Sequence, residues 1–229
     1  MLSRASGEVR LCFGLGPALG GRAAEARAQD LLEALRPGLR ALSWGRQVHG
    51  RVVASLASEP AHPLVGAACV GRCDALITAE TGLGLLVWTA DCVPVLMSGG
   101  GVVAAVHAGW RGTAADIVGA VVDRFRTEYG VAPDRLHAAL GPAISGPAYP
   151  VGDEVIEALG RLGVAEARWR DARHVDLRSL LAARLETLGL CRERVETVGP
   201  CTASTPELAS FRRDGAAAGR QWSLVYRAG

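Results

Sequence analysis

The segment AAVHAGWRGT, residues 104–113, places two reactive side chains at the point where an apolar run ends. His107 is the last residue of that run, and Arg111 follows it, with Gly109 and Gly112 close by. A strand that only fills a core does not need an imidazole and a guanidinium at its end, whereas loops held by a rigid sheet are where proteins present such groups. The segment is therefore a candidate site, and other residues must meet it there.

Two further segments share this arrangement. His49 lies in QVHG and Cys92 lies in TADCVPV, each at an abrupt change from strand to loop. Imidazoles and a thiolate are ligands that zinc prefers, and three protein ligands with an open fourth position are typical of catalytic zinc. A second interpretation stays open, because a buried cysteine is often an inert apolar residue. A single strand histidine is likewise often a core or surface residue.

Neighbouring residues are candidates for supporting roles. Asp74 and Asp91 are placed either to orient a ligand histidine from behind or to act as turn residues. Cys69 and Cys73 lie four positions apart, a spacing that could suit a metal. For this pair we favour apolar thiols beside the start of a strand.

Arginine is the candidate for binding an anion, since the sequence contains no lysine. The planar guanidinium fork matches the oxygens of phosphate and carboxylate better than an ammonium group does. Arg212, in the charged turn FRRDG, and Arg111 are the two candidates near the proposed site. A solvated surface hairpin is the other interpretation of the turn that contains Arg212.

The composition is that of a globular protein with a sizeable core: 229 residues, 49% hydrophobic and 21% charged. A net charge of +2 gives no reason to expect nucleic acid as a partner. We see no bilayer-spanning apolar run and no signal-peptide pattern, so we expect no membrane partner and a cytoplasmic location. In that compartment the six cysteines are expected to be reduced thiols or metal ligands.

The elements that must position the site centre on residues 74–110, where short apolar strands alternate with Gly, Asp and Pro, as in a buried sheet. The clearest helix is predicted over residues 113–130, with Thr113 as its N-cap and Gly130 at its end. Residues 57–72 are expected to form a loop. Further strands are predicted at 8–14, 46–56, 134–141 and 220–228, and further helices at 22–40, 151–163 and 176–190.

Strands and helices follow one another without strict βαβ alternation, which favours an α/β (α+β mixed) fold with a mixed sheet flanked by helices. The sequence shows no internal repeat, linker or low-complexity tract. We therefore expect residues 1–229 to form a single domain. The sequence does not indicate an oligomeric state.

Eight segments together resemble one family in order and spacing. The family is known as YfiH-like or laccase-domain proteins, which have been labelled polyphenol oxidases and reinterpreted as purine nucleoside enzymes with several activities. The resemblance covers about residues 8–227, and the pair ADCVP and HAGWRGT is highly specific. It implies a CNF/YfiH-like fold with mixed β-sheets in a sandwich-like core flanked by helices. The segments are QVHG, DALIT, TADCVPVL, AVHAGWRGT, LGPAI, PVGDEV, CTAS and SFRRDGAAAGR.

The resemblance also implies a site. Its metal ligands and catalytic residues fall on His49, Cys92 and His107, with Zn²⁺ as the metal and copper as an alternative at the same ligands. An arginine on the family's first helix corresponds to Arg27, although the usual preceding Asn is missing here. Arg27 thus joins Arg111 and Arg212 as a candidate for binding substrate.

The activity implied by the resemblance acts on purine nucleosides and phosphate. It comprises phosphorolysis of adenosine, inosine, guanosine and methylthioadenosine to the free base and ribose 1-phosphate or its methylthio analogue. It also includes hydrolytic deamination of adenosine.

Other functions remain open at this point. A cysteine-dependent hydrolase or amidase would use Cys92 as nucleophile, with His107 or His49 as base and Asp91 to orient the base. Because relatives have been linked to cell-wall editing, its substrate would be a cell-wall precursor. A copper-dependent polyphenol oxidase would hold its coppers largely with imidazoles, and five histidines are few for that purpose. A non-catalytic binding module would leave the reactive residues without a role.

Overall fold

The computed structural model describes residues 2–6, 8–14, 24–35, 38–57 and 66–228. Within them, most strands belong to two six-stranded sheets, each with both parallel and antiparallel pairs. The first sheet has the order β1 (Leu2–Ser6), β2 (Val9–Phe13), β14 (Gln221–Arg227), β7 (Leu83–Thr89), β3 (Ala41–Trp44) and β5 (Gly66–Cys69). The second has the order β13 (Val195–Thr197), β10 (His137–Leu140), β8 (Val93–Gly99), β9 (Val102–Ala108), β6 (Ala75–Thr78) and β4 (Val53–Leu56).

The helices and a short ribbon surround these sheets. The ribbon pairs β11 (Arg170–Asp171) with β12 (His174–Val175). The α-helices are α1 (Ala24–Ala34), α2 (Trp110–Ala114), α3 (Ile117–Tyr129), α4 (Asp153–Gly160), α5 (Leu177–Thr187) and α6 (Phe211–Asp214). None of the described helices combines the length and the apolar character that a membrane crossing requires.

The two sheets pack face to face as a sandwich. Leu83, Leu85 and Val87 alternate along β7 and are buried in one cluster with Leu96 of β8 and Val103 of β9. A second apolar cluster joins the outer face of the second sheet to α3 and α5, and a third joins the outer face of the first sheet to α1. These layers confirm the predicted mixed α/β fold, in which helices flank mixed sheets.

The predicted strand at 46–56 is wrong in its first half. Only Val53–Leu56 is a strand, and residues 45–52 form a loop. In this loop the backbone N–H groups of residues 48–50 donate to a buried side chain instead of a neighbouring strand. The predicted loop at 57–72 also contains a strand, Gly66–Cys69, while residues 58–65 lie outside the described residues.

The predicted helix at 113–130 is two helices, and Thr113 is not its N-cap. The first helix begins at Trp110 after Gly109, and Thr113 is buried inside it. Asp116 has a left-handed backbone with φ of 60° and separates α2 from α3, whereas Gly130, with φ of 67°, ends α3 as predicted.

The break at Asp116 is held by α5. The Arg184 guanidinium donates to both carboxylate oxygens of Asp116, over 3.0 Å from Nε and 2.7 Å from Nη2. Paired, charge-assisted hydrogen bonds of this kind are among the stronger polar contacts in proteins. The pair therefore fixes the direction in which α3 leaves the segment that follows His107.

We expect Asp116→Ala to lower the free energy of unfolding by about 2–3 kcal/mol, because it removes the charged contact and puts alanine in a left-handed conformation. Asp116→Asn should cost less, about 1 kcal/mol, since asparagine tolerates this conformation and keeps one acceptor. Urea unfolding of both variants measures the difference. Equal losses would contradict a contribution from the backbone conformation.

Candidate functional site

His49, Cys92 and His107 lie together, and their ligand atoms are all within 4.8 Å of one another. They come from three places in the chain: the loop after β3, the turn before β8 and the end of β9. The two imidazole rings meet edge to face, with centroids 4.8 Å apart. His107 is buried, Cys92 is half-buried and His49 is exposed, so the cluster is open on one side.

Asp74 joins two of these segments. Its Oδ1 lies 2.9 Å from Nδ1 of His107, and its carboxylate accepts N–H bonds from Val48, His49 and Gly50, at 2.9 Å for His49 and 2.8 Å for Gly50. Burial acts to raise the pKa of Asp74, but the hydrogen bonds from His107, Gly50 and Val48 outweigh it and keep the pKa below its usual value. Asp74 therefore carries a negative charge behind both imidazoles.

Two glycines let the segments approach. A Cβ on Gly109 would lie 2.9 Å from Cys92 Sγ and 3.0 Å from His49 Cδ2. A Cβ on Gly112 would lie 2.9 Å from the carbonyl oxygen of Gly50. These distances are too short for a real Cβ. Glycine at both positions of HAGWRG therefore lets this segment pack directly on the loop that carries His49.

The pKa values of Cys92 and His107 are both shifted within the cluster. Burial acts to raise the pKa of the Cys92 thiol, but hydrogen bonds and charge from His107 and His49 lower it to about 6. Burial acts to lower the pKa of His107, but its contacts with Asp74 and Cys92 raise it to about 9. The cysteine is thus a ready thiolate, which is the form that binds metals and attacks electrophiles.

The donor set fits a metal ion. The carboxylate of Asp74 only accepts, so the His107 ring donates its Nδ1 proton to it, and Nε2 is the nitrogen that would bind a metal, in exchange for the proton that the raised pKa places there. Two imidazoles and one thiolate suit zinc, and copper binds such ligands as well. Among the described residues this is the one group of three or more metal-binding side chains.

The cluster opens into a cavity of about 810 Å³. Its size suits a small organic ligand. Residues of both sheets and of the loops that follow them contribute to its wall. Its aromatic side chains are Trp44, Trp88, Trp110, Tyr149 and Phe211, and its arginines are Arg46, Arg111, Arg212 and Arg220.

Two of the predicted arginines lie on the cavity wall, each against an aromatic ring. The guanidinium of Arg111 lies 4.3 Å from the ring centroid of Trp110, and that of Arg212 lies 4.9 Å from that of Tyr149. Such stacking holds the flat cation while leaving its N–H groups available. Arg27 lies in α1, and its side chain is outside the part of the chain that the structure describes.

Asp91 does not orient a histidine. Its Oδ1 accepts a hydrogen bond of 2.6 Å from Thr202 Oγ1, and its Oδ2 accepts one of 2.6 Å from the backbone N–H of Arg212. Its backbone is left-handed, with φ of 81°, directly before Cys92. Asp91 therefore ties the segment that carries Arg212 to the turn that carries Cys92.

The remaining thiols do not join the cluster. Cys69 lines the cavity and is exposed, whereas Cys73 is buried between the sheets. Burial raises the pKa of Cys73 to about 11, followed by the charges of Asp74 and Cys69. Cys73 therefore behaves as an apolar core residue, as favoured from the sequence.

Sequence reasoning missed the residues that close the cavity around His49, Cys92 and His107. Trp44 and Trp88 were not singled out, and neither was Gln47, whose side-chain amide bonds the main chain of Trp88. The one available signal was the position of Gln47, two residues before His49. The contact partner is 41 residues away, so no local pattern reveals it.

The chain is similar in sequence to a family model and to several known proteins. A family model described as "multi-copper polyphenol oxidoreductase laccase" matches residues 15–228. A purine nucleoside phosphorylase of Deinococcus radiodurans is 38% identical over 158 residues, which are 66% of this chain but only 60% of that protein. One of Streptomyces coelicolor is 39% identical over 187 residues, 78% of this chain and 74% of that protein. A protein named adenosine deaminase RL5, from an unknown prokaryotic organism, is 36% identical over 163 residues, 67% of this chain and 62% of that protein.

Solved structures share the fold. The hypothetical protein YfiH of Bacillus licheniformis superposes with a TM-score of 0.82 at 23% identity, covering 96% of this chain and 92% of its own. A Neisseria meningitidis protein of the DUF152 family has a TM-score of 0.79 at 28% identity, covering 100% and 99%. The chain therefore belongs to the YfiH-type, laccase-like family, whose model carries the description of a multi-copper polyphenol oxidoreductase laccase.

Proposed function

We propose that this chain is a metal-dependent purine nucleoside enzyme. Its reactions are phosphorolysis of adenosine, inosine, guanosine and methylthioadenosine, and hydrolytic deamination of adenosine. His49, Cys92 and His107 are the proposed metal ligands and catalytic residues, and the arginines at positions 27, 111 and 212 are proposed to bind substrate. Residues 1–229 are proposed to act as one catalytic domain, and the names of the relatives support a purine nucleoside enzyme.

The observation that carries this proposal is the combination of three features in one cavity. A His–Cys–His cluster lies beside aromatic side chains and beside arginines. Aromatic rings suit the flat face of a purine, and guanidinium groups suit phosphate. Among the described residues of the wall, the one carboxylate is that of Asp91, and it already accepts two hydrogen bonds within the protein. The cavity is therefore cationic where an anionic reactant must bind.

In phosphorolysis, a phosphate oxygen bonds to C1′ of the ribose while the bond from C1′ to the purine nitrogen breaks. The electron pair goes to the base, which then takes up a proton. Arg111 and Arg212 are proposed to bind the phosphate, and their stacking on Trp110 and Tyr149 supports this by holding them before the substrate arrives. Fixed cations of this kind stabilise the charge that moves during the reaction.

In deamination, water must attack the purine carbon that carries the amino group, and ammonia leaves as the bond from that carbon to the amino nitrogen breaks. A zinc ion bound by the cluster would supply the Lewis acidity that this reaction needs. The protein's own part is geometric: Asp74 holds the proton of His107 on Nδ1 and fixes the backbone of His49, so both rings stay directed at one point.

One observation favours a second candidate, the cysteine-dependent hydrolase acting on a cell-wall precursor. The pKa of Cys92 near 6 and its two neighbouring imidazoles are also what a nucleophilic thiolate needs. Asp91, however, is bonded to Thr202 and Arg212 rather than to a histidine, so it does not complete the proposed triad. Asp74, which accepts from Nδ1 of His107, would orient the base of a hydrolase instead, so it is the second imidazole beside the thiolate, that of His49, that favours the metal-dependent enzyme.

Multicopper oxidation is less consistent with the site. Clusters of several coppers need several imidazoles. The described residues offer a single three-ligand group with two of them. A single copper ion at the same ligands remains compatible with this geometry.

We expect purified protein to convert adenosine and phosphate to adenine and ribose 1-phosphate, and adenosine alone to inosine, because one cavity serves both reactions. Chelator treatment and Cys92→Ser should each abolish both products, as separated by liquid chromatography. Cys201→Ser is the control, since Cys201 does not line the cavity. Full activity of Cys92→Ser would refute the site, and thiol-sensitive amide hydrolysis without either product would support the hydrolase.

Asp74→Asn should weaken zinc binding by about 10–100-fold, because residues that orient metal ligands contribute on that scale. Asparagine cannot accept from both the His107 ring and the three backbone N–H groups, since one of its two polar atoms is a donor. Competition with a coloured chelator measures the affinity. Asp116→Asn, a carboxylate outside the cavity, is the matched control. Unchanged affinity in Asp74→Asn would show that Asp74 does not support the ligands.

Arg111→Met and Arg212→Met should each raise the KM for phosphate about tenfold or more, because a charge-assisted hydrogen bond contributes about 1.5–3 kcal/mol. Deamination of adenosine, which needs no phosphate, should change little. Steady-state kinetics of both reactions separates these effects. Arg161→Met, at an exposed residue that directly follows α4, controls for loss of charge. If both reactions fall equally, these arginines do not bind phosphate specifically.

A further inference from the structure

The amide of Gln47 extends the first sheet beyond the end of β3. That strand pairs with β7 in parallel up to the pair Trp44 and Leu86. Beyond Trp44 the main chain makes one more bond on the β5 side, from the N–H of Arg46 to the carbonyl oxygen of Gly71, and on the β7 side the Gln47 side chain takes the place of the main chain. Its Nε2 donates to the carbonyl oxygen of Trp88 over 2.7 Å, and the N–H of Trp88 donates to its Oε1 over 2.8 Å.

The loop needs this attachment because it must cross from one sheet to the other. It leaves β3 in the first sheet and delivers His49 to a position within 4.8 Å of His107, which lies in the second sheet. At His49 the backbone is left-handed, with φ of 60°, a conformation that costs energy for a residue other than glycine. A strained residue keeps such a conformation only when its surroundings fix it.

Two side chains hold the loop, one on the side of each sheet. Asp74 holds the backbone of residues 48–50 and lies directly before β6 of the second sheet. Gln47 holds the loop to β7 of the first sheet. Residue 49 follows Gln47 by two positions, so any shift of the amide moves the imidazole relative to its two partners.

We propose that Gln47 is a positioning residue for the metal site: by bonding the main chain of Trp88, it sets the place of His49 and thereby the affinity for the metal. This inference rests on the metal site of the proposed function. Both polar atoms of the amide are already bonded to main chain, so the role of Gln47 is to hold the loop rather than to contact the reacting groups.

The test compares metal affinity in variants with matched losses of hydrogen bonds. Gln47→Met keeps the length of the side chain and removes both bonds. Thr78→Val is the control, since Thr78 also makes two hydrogen bonds with main chain, to Leu56 and from Glu80, at the far end of β6. We expect Gln47→Met to bind zinc about tenfold more weakly by chelator competition, and Thr78→Val to bind like the unaltered protein.

Two further readouts separate positioning from a general loss of stability. The visible absorption of the cobalt-substituted protein reports ligand geometry, and we expect it to change in Gln47→Met but not in Thr78→Val. Excess zinc should restore most of the nucleoside activity of Gln47→Met. Gln47→Glu, which keeps the acceptor for Trp88 N–H, serves if the methionine variant does not fold and should show a smaller loss of affinity.

The outcomes distinguish this inference from the proposed function. If the unaltered protein binds zinc and both Gln47 variants bind it equally well with an unchanged cobalt spectrum, the inference is wrong and the proposed function stands. If Gln47→Met and Thr78→Val lose affinity equally, Gln47 acts only through stability and the inference is also wrong. If the unaltered protein binds neither zinc nor cobalt, the metal site itself fails and the inference fails with it.

Discussion

The buried carboxylate of Asp74 is the interaction on which the site depends. A carboxylate that is 1% exposed is costly unless it is fully hydrogen-bonded. Asp74 meets this requirement with three backbone N–H groups of the loop and one imidazole nitrogen of β9. Because one group supplies both sets of bonds, the loop conformation and the ring of His107 are stabilised together. The left-handed backbone of His49 is part of the same arrangement.

A second aspartate, Asp91, also connects distant segments of the chain by hydrogen bonds. Asp91 accepts from Thr202 and from the backbone of Arg212, and it stands directly before Cys92. One carboxylate thus connects the turn of the thiol to the segment that presents an arginine, while the other connects the imidazole of His107 to the backbone of the loop that carries His49. Neither contacts its partners through neighbouring positions in the chain: Asp91 and Arg212 are 121 residues apart. The cavity therefore forms only when both sheets and the segment before β14 have assembled.

The sequence predicts those parts of this structure whose interacting residues lie close together in the chain. The apolar strands of residues 74–110 and the closing Gly130 were predictable because burial and a left-handed cap leave local patterns. The candidate ligands were found because reactive residues at strand ends are unusual. The loop before β4 is predicted to be a strand because its β-branched residues are typical of strands. Its backbone N–H groups instead donate to the carboxylate of Asp74. The helix break at Asp116 and the anchoring by Gln47 depend on partners 68 and 41 residues away, which no window of sequence contains.

The charges of the site explain why metal ligands and arginines share one cavity. A thiolate with two neutral imidazoles carries one negative charge, so a divalent ion bound there keeps a net positive charge. Asp74 lies behind His107 rather than in the cavity wall, and Asp91 is bonded on both oxygens. Among the described residues of the wall, the charged groups on the open side of the cluster are therefore mainly arginines, which lie beside aromatic rings. In the proposed enzyme, an anion entering this space would meet attraction from the metal-loaded cluster and from the guanidinium groups together, so metal binding and phosphate binding would favour each other through the field of the cavity.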